Sequence, residues 1–167
     1  MDLGNELEKA HKEIFRFEAL QEYFSDGSDE VENEINRQWA ETGRIDMDLM
    51  KEWHDFITKK VKNGVKFIWV RLVEFPLNAY TKCELYIFKR RIIYGIDIRI
   101  IIKKKLDTLG LPVQDFYLLD KKNLLLMNYG VLNEYLGCEI NNKNFSEYTK
   151  YKDLLVKHSV PISEFSY

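Results

Sequence analysis

Chemistry in this chain would have to come from charged side chains carried on segments that should be buried. Arg71, Glu74, Glu84, Asp97, Arg99, Asp115 and Asp120, with Tyr80 among them, are the candidate binding residues. An unpaired charge inside a fold is strongly destabilising, so each needs a partner. Two arrangements would supply one. The charges form an internal network that sets strand register and helix docking, or an arginine among them opens onto a pocket and receives a phosphate or carboxylate. In either case Arg71, Asp97, Arg99 and Asp115 are expected to converge.

A reaction is harder to build. The chain contains no H-E-x-x-H, G-x-S-x-G, Walker loop or G-x-G-x-x-G. His11, His54 and His158 fall on predicted helices away from the sheet and should be surface or half-buried residues. Cys83 and Cys138 lack C-x-x-C spacing, which gives no support to a disulfide framework or a zinc site. No catalytic residue, metal or cofactor is therefore expected.

These residues must be positioned by a core that begins at Val65. Val65–Val73 is rich in β-branched and aromatic residues, lies between Gly64 and Pro76, and reads as a buried strand. Alternation puts Phe67, Trp69, Arg71 and Val73 on one face and Ile68, Val70 and Leu72 on the other. Leu77–Tyr94 reads as a helix stopped by Gly95, and Asp97–Lys103 as a second strand, with Asp97, Arg99 and Ile101 sharing a face. This spacing predicts a right-handed parallel crossover. Lys103–Lys105 and Leu109–Pro112 read as a connection. Asp115–Leu119 and Leu124–Tyr129 flank a turn at 120–123 and predict a hairpin. In the stretch from Gly130 to Asn142, Val131, Leu132, Tyr135 and Leu136 fit a further strand or a short helix, Glu139-Ile-Asn-Asn-Lys-Asn reads as loop, and Phe145–His158 is a final helix ended by Pro161.

The N-terminal third reads as three helices. Leu3, Leu7, Ala10, Ile14, Phe17 and Leu20 make one stripe through Tyr23. A break at Asp26-Gly27-Ser28 follows, with Ser28 as N-cap of a second helix closed by Thr42-Gly43. A third starts near Asp46 or Asp48 and ends at Lys62-Asn63-Gly64. The expected organisation is one domain over 1–167, a helical N-terminal layer over 1–63 and an α/β core over 64–160. Its fold class is α/β, with a β-α-β-β-β-α unit and a mixed sheet after the three helices.

At 167 residues and 46% apolar the chain suits a single core. Nothing in it resembles a signal peptide or a membrane span, so a cytoplasmic protein with no membrane partner is expected. Charge is uneven: residues 1–60 hold 16 acids and 8 bases, and residues 61–110 hold 4 acids and 11 bases. The acidic helices are expected to neutralise the basic middle, and nucleic acid ranks below other partners.

Arg71-Leu-Val-Glu74-Phe-Pro76-Leu-Asn-Ala-Tyr80, Gly95-Ile-Asp97-Ile-Arg99, Leu111-Pro112 and Asp115-Phe-Tyr-Leu-Leu-Asp120 together resemble a bacterial family of unknown function. Its pattern is R-V-R-V-V-S-E-P-L-x-x-Y, then G-E-D-I-R, then L-P-x-x-D-F-W-L-F-D. Phe15-Arg-Phe-Glu18 and Tyr23 are similar to its opening. This chain departs from the pattern at Ile96, where the family has Glu, at Tyr117, where it has Trp, and at Phe75. Members often lie beside helix-turn-helix regulators, which implies such a regulator as partner. The element order is also similar to one phospholipase D-like repeat, without that fold's His-x-Lys nucleophile. The resulting expectation is a noncatalytic module in a bacterial regulatory setting that binds a small anionic ligand or another protein. The alternative is a phosphodiester or phosphoryl-transfer enzyme whose site is assembled in a homodimer.

Overall fold

The protein is described by a computed structural model over residues 2–24 and 27–167. In chain order the elements are α1 (Leu3–Lys9), β1 (Glu13–Glu18), α2 (Glu30–Thr42), α3 (Lys51–Lys62), β2 (Lys66–Val73), α4 (Ala79–Arg91) and β3 (Asp97–Ile102). These are followed by α5 (Lys103–Leu109), β4 (Phe116–Leu119), β5 (Asn123–Tyr129), β6 (Tyr135–Ile140), α6 (Phe145–His158) and β7 (Val160–Pro161). The strands form one mixed sheet in the order β6-β5-β4-β1-β2-β3-β7. β1, β2 and β3 run parallel, and all other neighbours are antiparallel. Among the described residues no helix is long and apolar enough to cross a membrane.

The N-terminal third is not all helix. The expected helix over Leu3–Tyr23 ends at Lys9, and β1 enters the middle of the sheet between β4 and β2. Burial explains the change. A helical stripe would have covered Ile14 and Phe17 while leaving Phe15 on the wet side. As a strand covered on both faces, β1 buries Ile14, Phe15 and Phe17 completely, and each such side chain contributes roughly 1.5–3 kcal/mol. The division into a helical layer over 1–63 and a core over 64–160 fails for the same reason, since β1 belongs to the core.

Two apolar layers sandwich the sheet. One contains Leu7, Ile14, Ile57, Phe67, Trp69, Ile98 and Ile100, under α1 to α4. The other contains Phe15, Phe17, Ile68, Val70, Leu72, Ile101 and Leu106, under α5 and α6. The alternation expected for β2 and for the interior of β3 matches this division. The second helix closes at Gly43, in the left-handed conformation, but its N-cap is Asp29 rather than Ser28: the Asp29 carboxylate accepts from Val31 and Glu32 N–H. The break expected at Asp26 lies outside the described residues. Lys103–Leu109, expected as connection, is a helix whose Leu106 plugs the second layer and whose end is Gly110. β7, also unexpected, places Val160 and Pro161 at the far edge.

Sheet register is pinned from one turn. Asp120 and Lys121 have positive φ, at 54° and 55°, and the Asp120 carboxylate accepts from the backbone N–H of His11, Lys12 and Glu13 at 2.7–3.0 Å. Against the burial that would raise it, these bonds hold Asp120 below the usual carboxylate range. The β4–β5 hairpin is thereby tied to the start of β1.

Candidate functional site

β1, β2 and β4 bring a row of charges together on the face beneath α4. Glu18 lies opposite Arg71 and Arg16 opposite Trp69, with Tyr117 on the other side of Arg16. Arg16 Nη2 donates to Glu18 Oε1 at 2.8 Å and approaches Asp115 Oδ2 at 3.5 Å, while its guanidinium covers the Tyr117 and Trp69 rings. Trp69 Nε1 donates to Glu18 Oε2 at 2.8 Å. Asp115 accepts from Ala19 N–H (2.8 Å), Tyr23 OH (2.7 Å) and Tyr129 OH (3.2 Å).

Arg71, 0% exposed, is the centre of the row. Its Nε and Nη2 donate to Glu84 Oε2 of α4 at 2.9 and 2.6 Å. Its Nη1 serves the carbonyls of Leu20, Leu72 and Glu18. Every nitrogen of this guanidinium has a protein partner, so it clamps α4 and the chain after β1 onto the sheet.

The electrostatics follow from burial. It pushes Glu84 up to about 7, with Glu18 adding to the rise and Arg71 opposing it. Asp115 is likewise pushed up by burial, against Arg16. Glu18 goes the other way: burial would raise it, but Arg16 and Arg71 hold it below the usual range.

Only part of the expected cluster converges. Arg71 and Glu84 meet, Asp115 joins them through Arg16 and Glu18, and Tyr80 stands nearby, its ring 6.1 Å from that of Tyr23. Asp97 and Arg99 do not join. The parallel register pairs Val70 with Arg99 and Arg71 with Ile100, which turns Arg99 to the opposite face. There Arg99 donates to Ser159 Oγ and O, both at 3.0 Å, and lies 3.6 Å from Asp97. Glu74 is exposed beyond β2, and Asp120 sits at the other end of β1. His54, expected at the surface or half-buried, is buried on α3 and stacked on Tyr94 at 4.2 Å. Among the described residues the only ion pair joining residues 1–60 to 61–110 is Glu18–Arg71, and its carboxylate comes from β1 rather than from an acidic helix.

A pocket of about 230 Å³ lies between this row, α2 and α4, lined by Glu18, Ile35, Trp69, Cys83, Glu84, Phe88 and Arg91, among others. Arg91 is the unusual residue. It is 6% exposed, its Nε has no partner, and its Nη2 reaches only the weak acceptor Met50 Sδ, at 3.2 Å. No carboxylate among the described residues stands within ion-pairing distance of it. Burial lowers its pKa to about 10. Arg16, Glu18, Tyr23 and Arg91 were not among the candidates read from the sequence. The signal for the first two was the Ile14-Phe15-Arg16-Phe17 run, whose residue types favour a strand.

The family model for a domain of unknown function (DUF6879) matches residues 2–167. The chain belongs to this family. The match spans every strand of the sheet and therefore both the charged row and the pocket. No curated protein matches the chain.

Proposed function

We propose that this member of the family is a noncatalytic binding module whose pocket between α2, α4 and the sheet takes a small ligand bearing a carboxylate. One observation carries the reading: Arg91 is a buried cation with no carboxylate among the described residues in direct contact with it, Glu18 and Glu84 acting on it only from across the pocket that it lines. A buried charge without a direct partner is unfavourable for folding, and a bound anion would supply one. Ile35, Ile87 and Phe88 would hold the ligand's apolar body. Glu18 and Glu84 are already engaged by Arg16, Trp69 and Arg71, which leaves Arg91 as the free recognition group.

Arg91→Met tests this with benzoate as probe. The variant is expected to be more stable than wild type by about 1–2 kcal/mol in urea unfolding, because it exchanges a buried charge without a direct partner for packing. It should also lose the thermal stabilisation that benzoate gives the wild type. A variant destabilised like any core truncation, with wild-type benzoate response, would make Arg91 a structural cation over Trp69 and Phe88.

Protein interaction is a second reading, favoured by the β6 edge. Tyr135, Leu136 and Ile140 are exposed there, next to exposed Val131 and Leu132, and β6 contains neither lysine nor proline to discourage pairing. The opposite edge, β7, is two residues long and includes Pro161. We infer that a helix-turn-helix regulator, the partner implied by the resemblance, would add a strand along β6. Co-purification of such a protein with the wild type, abolished by Leu136→Lys, is the expected outcome. The likeness to one phospholipase D-like repeat enters this proposal as element order only. The enzymatic alternative would have to use Asp115, whose carboxylate is committed to Ala19, Tyr23, Tyr129 and Arg16.

A further inference from the structure

A second pocket, of about 480 Å³, opens on the opposite face of the sheet, where β1 and β2 begin. Ile68 and Leu118 form its floor, and Phe145 and Val156 of α6 its apolar wall. Four lysines surround it from three separate elements: Lys66 at the start of β2, Lys121 in the β4–β5 turn, and Lys152 and Lys157 on α6. The acids lining it are Glu13 and Asp153. Glu13 and Lys152 are both buried and pair with each other, so they cancel at the floor. Lys66, Lys121 and Lys157 make no ion pair among the described residues, and Asp153 alone faces the three of them.

Two physical features set this cluster apart from an ordinary solvated surface. Like charges drawn around one concavity repel, and low-dielectric walls focus their field onto whatever enters. The turn carrying Lys121 also holds that residue at φ 55°, where a β-carbon is disfavoured and glycine is the usual occupant. Such positions concentrate at ligand-binding sites. Since Asp120 fastens the same turn to the N–H groups of His11, Lys12 and Glu13, Lys121 stands on a rigid platform.

We propose that this pocket binds a small phosphate monoester, its phosphate held by Lys66, Lys121 and Lys157 and its apolar or aromatic body against Phe145, Val156, Ile68 and Leu118. Ammonium groups serve phosphate as point charges with freely oriented donors. The volume lies within the usual range for small-molecule sites. The site shares no lining residue with the Arg91 pocket, so either can fail without the other.

Calorimetric titration with AMP, adenosine and inorganic phosphate tests the assignment. AMP is expected to bind saturably and more weakly as salt is raised, and adenosine not to bind. Lys121→Gln and Lys157→Gln should each weaken AMP by roughly tenfold, about one charge-assisted contact, and Lys104→Gln, outside the pocket, should leave it unchanged. Lys121→Gly is the most informative variant: relief of the left-handed backbone should raise its melting temperature while AMP binding falls. Absence of saturable AMP binding would overturn the proposal, as would wild-type affinity in the Lys121→Gln, Lys157→Gln double variant. Equal affinity for inorganic phosphate would overturn the role of the apolar wall, and preference for a single-stranded oligonucleotide over AMP would make the surface a nucleic-acid site instead.

Discussion

Arg71→Met is expected to lower the stability of the fold by about 3–5 kcal/mol near pH 8, the usual cost of breaking a buried ion pair by removing one partner. Against a typical total of about 5–15 kcal/mol, a loss of that size leaves a variant that is marginal at physiological temperature. The carboxylate of Glu84 would remain buried, the carbonyl of Leu20 would lose its side-chain donor, and that of Leu72 would keep only Gln21 Nε2. The effect should depend on pH in a direction that can be worked out. Glu84 titrates at about 7 in the fold against 4.5 in the unfolded chain. Its contribution is therefore whole below about 4.5 and is lost as pH rises through about 7. Wild-type stability should fall across that window, and Glu84→Gln should flatten the slope. In Arg71→Met the fall should continue to higher pH, because only Arg16 then opposes the burial of Glu84. Urea midpoints measured through the window check all three slopes, and a wild-type curve that rises instead would show that the pair is held fully ionised.

Asp115→Ala should cost a similar amount, about 3–5 kcal/mol, for a different reason. Its carboxylate holds the end of β1, through Ala19 N–H, to the start of β4, and it fastens the hydroxyls of Tyr23 and Tyr129 from two further segments. Truncation strands all these donors and leaves Arg16 with Glu18 alone. Buried donors without acceptors cost about 1–3 kcal/mol each when nothing relaxes, so water entering the gap sets the final figure. Combining Asp115→Ala with Arg16→Met should cost less than the sum of the single changes, since both belong to one network. The same variant separates the binding module from the enzymatic alternative. An Asp115→Ala protein with wild-type stability that had lost a divalent-metal-dependent phosphatase activity would show the carboxylate to be catalytic.

The candidate site was half legible. Arg71 could be picked out because it interrupts Trp69-Val-Arg-Leu-Val, where the neighbours must be buried and the charge must be paired. Glu84 is its partner because α4 leads from β2 straight back across the same face, a consequence of local connectivity. Arg99 was misplaced because alternation assigns faces within a strand and says nothing of which face of β3 matches which face of β2. That choice depends on register, and the pairing of Val70 with Arg99 decides it. Arg91 was hidden among Lys89, Arg90 and Arg91, a basic run that reads as solvated. Only the approach of α2 and the position of α4 bury one member of that run and leave its neighbours outside.

What the sequence determined by itself were the segments whose local pattern and final environment agree: β2, α3, α4, the β4–β5 hairpin and α6, where periodicity and turn residues point the same way. The three-dimensional fold decided the rest. Ile14 and Phe17 satisfy a helical stripe about as well as a strand, and what makes the segment a strand is the room between β4 and β2, where both faces are covered and Phe15 leaves water with them. That placement carries Arg16 and Glu18 inward to meet Arg71 and Asp115. The charged row, and the pocket it floors, thus depend on a long-range contact that no local pattern encodes.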